Sequence, residues 1–158
     1  MRRVKGFSLI EVLVAMFLLA VGVLGAASMQ LNALKYNQSA GSRTQASFLA
    51  YTIIDMMRAN SVGALANSYN IQMKATPPSD NSVASTDLRN WLLLVGQQLP
   101  AGYGSVQRVP QVNAAGQTVN VITVVLQWDE SRAGGNSNAP GSDNPDSNTQ
   151  QFTFVTEL

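Results

Sequence analysis

Cysteine and histidine are both missing from the chain. Without cysteine there is no disulfide framework and no thiolate chemistry. Without histidine the commonest general base and the commonest metal ligand are gone. Charge is scarce as well: 12% of the 158 residues are Asp, Glu, Lys or Arg, against 46% apolar, a low share for a freely soluble domain. No proline occurs before Pro77, so nothing upstream of it forces a helix to stop. These gaps weaken most enzyme readings, and the length allows no more than one modest globular domain.

The charge that is present is unevenly placed. Arg2, Arg3 and Lys5 are three of the ten positive residues; beyond Gly6, seven Lys and Arg stand against nine Asp and Glu, a net of −2. No basic patch or stripe stands out there, so charge gives no support to nucleic-acid binding. From Phe7 to Ala27 the only ionisable residue is Glu11. As a helix this run would extend about 31 Å, the thickness of a bilayer's hydrocarbon core. Arg2, Arg3 and Lys5 should then stay cytoplasmic and the C-terminal bulk should lie on the other side. An ordinary secretory signal peptide is the alternative, and "LGAASMQ" offers it a small-x-small cleavage site. Its apolar region, however, would be shorter than this run, about 7–15 residues. A central charge in a spanning helix costs about 2.5–3.5 kcal/mol and less near the end, where Glu11 sits. Glu11 is therefore either a tolerated glutamate reaching the headgroups or a functional group with a partner.

Past Ser28 the helical pattern continues. Leu31, Leu34, Tyr36, Phe48, Leu49, Ile53, Met56 and Met57 keep an apolar face, which predicts one helix from about Phe7 to about Asn60 with its second half packed on a head domain. Gly22 and Gly25 are weak points, costing roughly 1 kcal/mol each relative to Ala. They allow either local melting or close packing of neighbouring membrane helices. "ATPPSDNSVAS" reads as a loop. "STDLRNWLLLVGQQLP" reads as a helix capped by Ser85 or Thr86, with Leu88, Trp91, Leu92, Val95 and Leu99 on one face. Trp91 on that face belongs to the core. "GYGSVQRVPQV" and "QTVNVITVVLQWDE" form a hairpin across "NAAG", with Ile122, Val124, Leu126 and Trp128 facing the core. A low-complexity loop covers about 131–150, and "QFTFVTEL" supplies a last strand. The fold class is α+β: a long N-terminal helix on a small antiparallel sheet covered on one face.

Sharper chemistries fail on their own terms. Asn144, Asp146 and Asn148 alternate like calcium ligands, but the glycine and distal glutamate of such a loop are missing and Pro145 intrudes. Asp129 and Glu130 are adjacent on a strand and point to opposite faces. Serine has no histidine or Ser-x-x-Lys partner, and Gly102 and Gly104 follow a helix end rather than open a dinucleotide fingerprint. No catalytic, cofactor or metal residue emerges, so no cofactor is expected.

"GFSLIEVLVAMFLLAVGVLG" resembles the class III signal of type IV pilins and pseudopilins. With Met29–Gln30, "MMRAN", "LPAGYGSV" and "ITVVLQWDE", the chain resembles the type IV pilus modification (PilV) family of minor pilins. The resemblance implies a leader, Met1–Gly6, whose basic residues are Arg2, Arg3 and Lys5. A prepilin peptidase would cut Gly6–Phe7, and Phe7 would be N-methylated. Residues 7–27 would form the transmembrane and filament-core helix, 28–60 its soluble half and 61–158 the head. Glu11, fifth in the mature chain, would dock on the N-terminal amine of a neighbouring subunit. Implied partners are other minor pilins, the major pilin, the inner-membrane assembly platform and a tip adhesin. The implied location is the inner membrane with a periplasmic head, then the pilus surface. Major pilins usually close a C-terminal loop with a disulfide, and this chain lacks cysteine, which favours a minor pilin. The rivals are a type II secretion pseudopilin and a membrane-tethered periplasmic binding module.

Overall fold

The computed structural model describes residues 6–131 and 148–158. The α+β architecture is as expected, with three helices and then three strands in chain order among the described residues. Helix α1 runs Leu9–Ala59, α2 Ser61–Leu65 and α3 Val83–Gln98; β1 spans Tyr103–Val112, β2 Thr118–Asp129 and β3 Thr149–Glu157. The low-complexity segment falls mostly on residues 132–147, outside the described residues. The chain divides into two compact units, Met1–Asn37 and Gln38–Leu158.

In the first unit, α1 begins at Leu9, two residues later than the apolar run alone suggests. Ser8 explains the start: its carbonyl accepts the Glu11 N–H at 3.0 Å and the Val12 N–H at 3.3 Å, and Ser followed three residues later by Glu is a capping-box pattern. The helix passes through Gly22 and Gly25 without a break, and a Cβ on either would meet nothing within 4 Å. Every described side chain up to Asn37 is exposed, including Leu13, Phe17 and Leu24. A helix that is apolar all round and has no protein cover requires a non-aqueous surround or other helices. The most apolar 18-residue window of α1 has a mean hydropathy of 2.6, and the helix is long enough to cross a membrane.

The second unit is built on the C-terminal part of α1. Ala46, Leu49, Ala50, Ile53, Ile54 and Met57 are buried, a spacing of three and four residues that draws one stripe along a helix. This corrects the apolar face predicted above: Leu49, Ile53 and Met57 are buried and Met56 is half-buried, but Leu31, Leu34, Tyr36 and Phe48 are exposed. Phe48 is 61% exposed, because it lies about a third of a turn off the stripe. Leu88, Trp91 and Val95 of α3 and Leu99 just past it close the core from the other side, with Leu92 only half-buried. The Trp91 indole N–H donates to the Leu49 carbonyl at 2.8 Å, fixing α3 to α1.

Helix α3 starts three residues before the sequence places it. Ser82, not Ser85 or Thr86, is the N-cap, and its hydroxyl accepts the Ser85 N–H at 3.2 Å. The Ser82 N–H in turn donates to the exposed Asp80 carboxylate, which those serines hold down to about 2.

The sheet is an antiparallel meander in the order β1-β2-β3. Ile122, Val124, Leu126 and Trp128 are buried on the helix side, as the alternation predicts. The hairpin turn needs its glycine, since Gly116 has φ +76°, a region that costs other residues strain. Gly104 serves packing instead: a Cβ there would lie 2.4 Å from the Trp91 ring. Strand β3 starts two residues earlier than expected, at Thr149, because β2 keeps its register to Asp129↔Thr149.

Buried Tyr69 joins α1 to α3. Its hydroxyl donates to the Asp87 carboxylate of α3 and reaches the Met56 carbonyl of α1, and it accepts from the Asn60 side chain. Burial first, and the Asp87 carboxylate second, push its ionisation up to about 12 from 10.0. A raised value means the folded state holds the proton more tightly, so this stabilisation is complete below pH 10 and disappears as pH rises towards 12. Denaturant titrations should therefore show the second unit weakening between about pH 10 and 12, and a Tyr69→Phe variant should flatten that alkaline limb.

Candidate functional site

The residues that the sequence singles out lie where α1 begins. Gly6, Phe7 and Ser8 precede the helix and carry no regular structure. Gly6 is exposed, with open space where a Cβ would stand. The Gly6–Phe7 bond thus lies in irregular, accessible backbone, the form that a peptidase requires, one residue before the hydrogen-bonded turn opens at Ser8. Arg2, Arg3 and Lys5 lie outside the described residues.

Phe7 is 83% exposed. Phe7 and Glu11 are one turn apart and line one shallow surface with Val12, Ala15, Met16 and Leu19. Glu11 is thus the single charge on a lipid-like face, and it shares that face with the residue whose amine cleavage would expose. Among the described residues its carboxylate has no hydrogen bond or ion pair. Its place in the first helical turn sets the negative charge against the positive end of the helix dipole, which lowers the cost of keeping it there. Ser8, which sets this geometry, was not singled out from the sequence; the Ser-x-x-Glu spacing is the signal that finds it.

Among its described residues the head presents no comparable chemistry. Asp129 is exposed and accepts from the Ser131 N–H and hydroxyl. Glu130 is buried on the opposite face, with Oε1 unpaired among the described residues. Of the alternating calcium-like trio, Asn144 and Asp146 lie outside the described residues. The Asn148 carbonyl accepts the Glu130 N–H at 2.8 Å, extending the β2–β3 ladder. Among the described residues no group of three acidic, histidine or cysteine side chains could hold a metal. Arg108 has a structural task, binding the Leu65 carbonyl and the Asn67 and Asn120 side chains.

Residues 1–27 match the family model of the prokaryotic N-terminal methylation motif. The motif is a type IV pilin-like prepilin signal, and it supports a pilin- or pseudopilin-like protein of structural rather than enzymatic kind, membrane-associated, with pilus components as partners. No curated protein and no solved structure matches the chain.

Proposed function

We propose that the chain is a minor pilin that primes assembly of a type IV pilus and enters the fibre, in a tip complex with other minor pilins that serves adhesion and twitching motility. The observation that carries the reading is the placement of Glu11 as the only charge in the exposed apolar stretch from Phe7 to Ala27, one turn from Phe7. Prepilin peptidase removes residues 1–6, and Phe7 becomes the methylated N-terminus. Residues 7–27 then hold the subunit in the inner membrane with its head in the periplasm, residues 28–60 carry the helix beyond the membrane, and residues 61–158 meet sibling pilins, the major pilin or a tip adhesin.

The chemistry of the docking step follows from desolvation. A carboxylate in hydrocarbon is costly alone, and an opposite charge offsets that cost when the pair is made. The α-amine released at Phe7 stays positive after monomethylation. A subunit that brings Glu11 to its neighbour's amine therefore gains only by entering the array, which makes insertion into the fibre directional. Pseudopilins share this signal. The minor-pilin reading is supported further by the resemblance of the head and by the absence of cysteine.

Processing is tested by Gly6→Val in cells that hold the pilus machinery. Because a Cβ at Gly6 meets no atom within 4 Å among the described residues, the substitution leaves the described fold alone and acts on recognition of the cleavage site. The expected result on a gel is a full-length, membrane-retained chain absent from sheared fibres. Normal processing of the variant would contradict the assigned cleavage site.

A further inference from the structure

The two edges of the head's sheet differ. Along β1 the outward-facing residues are the even-numbered ones, since Asn113 and Gln117 close the hairpin by bonding to each other. That edge is occupied. Val106 exchanges both backbone bonds with Ile71 at 2.9 and 3.0 Å. The Arg108 N–H is taken by the Asn70 side chain at 2.9 Å, and Pro110 has no N–H to offer. Three successive positions are thus closed to another strand.

The β3 edge has none of these devices. Glu130 bonds to Asn148 at one end of the β2–β3 ladder, and Leu158 to Asn120 at the other. The even residues of β3 therefore bond inward, and Thr149, Gln151, Thr153, Val155 and Glu157 direct both backbone groups away from β2. Among the described residues nothing pairs with them. The edge carries no proline or lysine, the usual guards of an exposed strand. Gln151, Thr153, Val155 and Glu157 are also exposed through their side chains.

We propose that β3 pairs antiparallel with β3 of a second copy of this chain, centred on Thr153, to make one six-stranded sheet. The strand's own sequence argues for a copy as occupant. In that register all five outward residues find outward partners: Thr153 faces Thr153, Gln151 faces Val155 and Glu157 faces Thr149. The only charged side chain of β3 is thereby kept from its twin, whereas parallel pairing would bring the two glutamates together at a cost. On the other face, half-buried Phe152 comes to lie beside Phe154 of the second copy, extending the aromatic contact in which Tyr51 meets Phe154 edge-on at 4.9 Å. A two-fold contact closes on itself and does not propagate along a polar fibre, so this pairing belongs to subunits outside the fibre. It stands independently of the docking role of Glu11.

The cysteine-free chain makes the test direct. In the detergent-solubilised full chain, Thr153→Cys should oxidise to a covalent dimer, because directly opposed residues lie about 5.5 Å apart between Cα atoms, within disulfide reach. Gln151→Cys or Val155→Cys alone should yield at least about tenfold less, since each would sit roughly 14 Å from its twin, whereas mixing the two variants should restore the cross-link. Thr153→Pro removes only an outward N–H and no bond to β2, and should make the chain monomeric by light scattering. Equal cross-linking at all three positions, none at 153, a Thr153→Pro variant still dimeric, or Thr153→Cys captured only by a different protein would each overturn the proposal.

Discussion

Glu11→Ala is expected to take the subunit out of the fibre while leaving it in the membrane. Alanine is more soluble in hydrocarbon than glutamate, so insertion is not impaired, and the Glu11 carboxylate makes no hydrogen bond or ion pair among the described residues. What the variant loses, on the proposed docking, is the partner for a neighbour's Phe7 amine. Breaking one side of a desolvated ion pair costs about 3–5 kcal/mol, because the other charge stays buried and unpaired. That corresponds to roughly 100-fold or more less subunit in sheared fibres. Immunoblots of sheared and membrane fractions measure the ratio. Glu11→Gln separates charge from size, and should fail nearly as badly.

The second large effect lies in the head. Trp91 is fully buried, its indole bonds to the Leu49 carbonyl across 42 residues of sequence, and its ring rests against Gly104. Trp91→Ala leaves a cavity among α1, α3 and β1 and an unpaired Leu49 acceptor, and should cost about 3–5 kcal/mol. Trp91→Phe keeps most of the volume and loses the bond, for about 1–3 kcal/mol. Urea unfolding of both variants measures the two costs separately. If alanine and phenylalanine cost the same, packing is not what Trp91 contributes.

Local pattern carried much of this into the sequence. The alternation in β2 marks Ile122, Val124, Leu126 and Trp128 as the core face because a strand has a period of two. The run from Phe7 to Ala27 marks a helix long and apolar enough to span a membrane, because no charge but Glu11 interrupts it. What local pattern cannot supply is competition between equivalent signals and contact at a distance. Ser82, Ser85 and Thr86 are all good caps, and the choice of Ser82 depends on Asp80 holding its N–H. Phe48 fits an apolar list, yet the buried stripe is set by where α3 and the sheet lie. The Tyr69 hydroxyl joins residues from α1 and α3 that no periodicity connects. The open edge of β3 is visible only once the register is known, since parity decides which backbone groups face outward.

The proposed cleavage of the Gly6–Phe7 bond and the proposed role of Glu11 both stand on one chemical event, the creation of a methylated amine at Phe7. Intact mass and N-terminal sequencing of the chain, taken from membranes of a cell with its pilus machinery, read that event directly. The account predicts a mature chain beginning at N-methylated Phe7. A chain beginning beyond Ala26 would mean an ordinary signal peptide, with no retained helix to carry Glu11 and no subunit of a fibre.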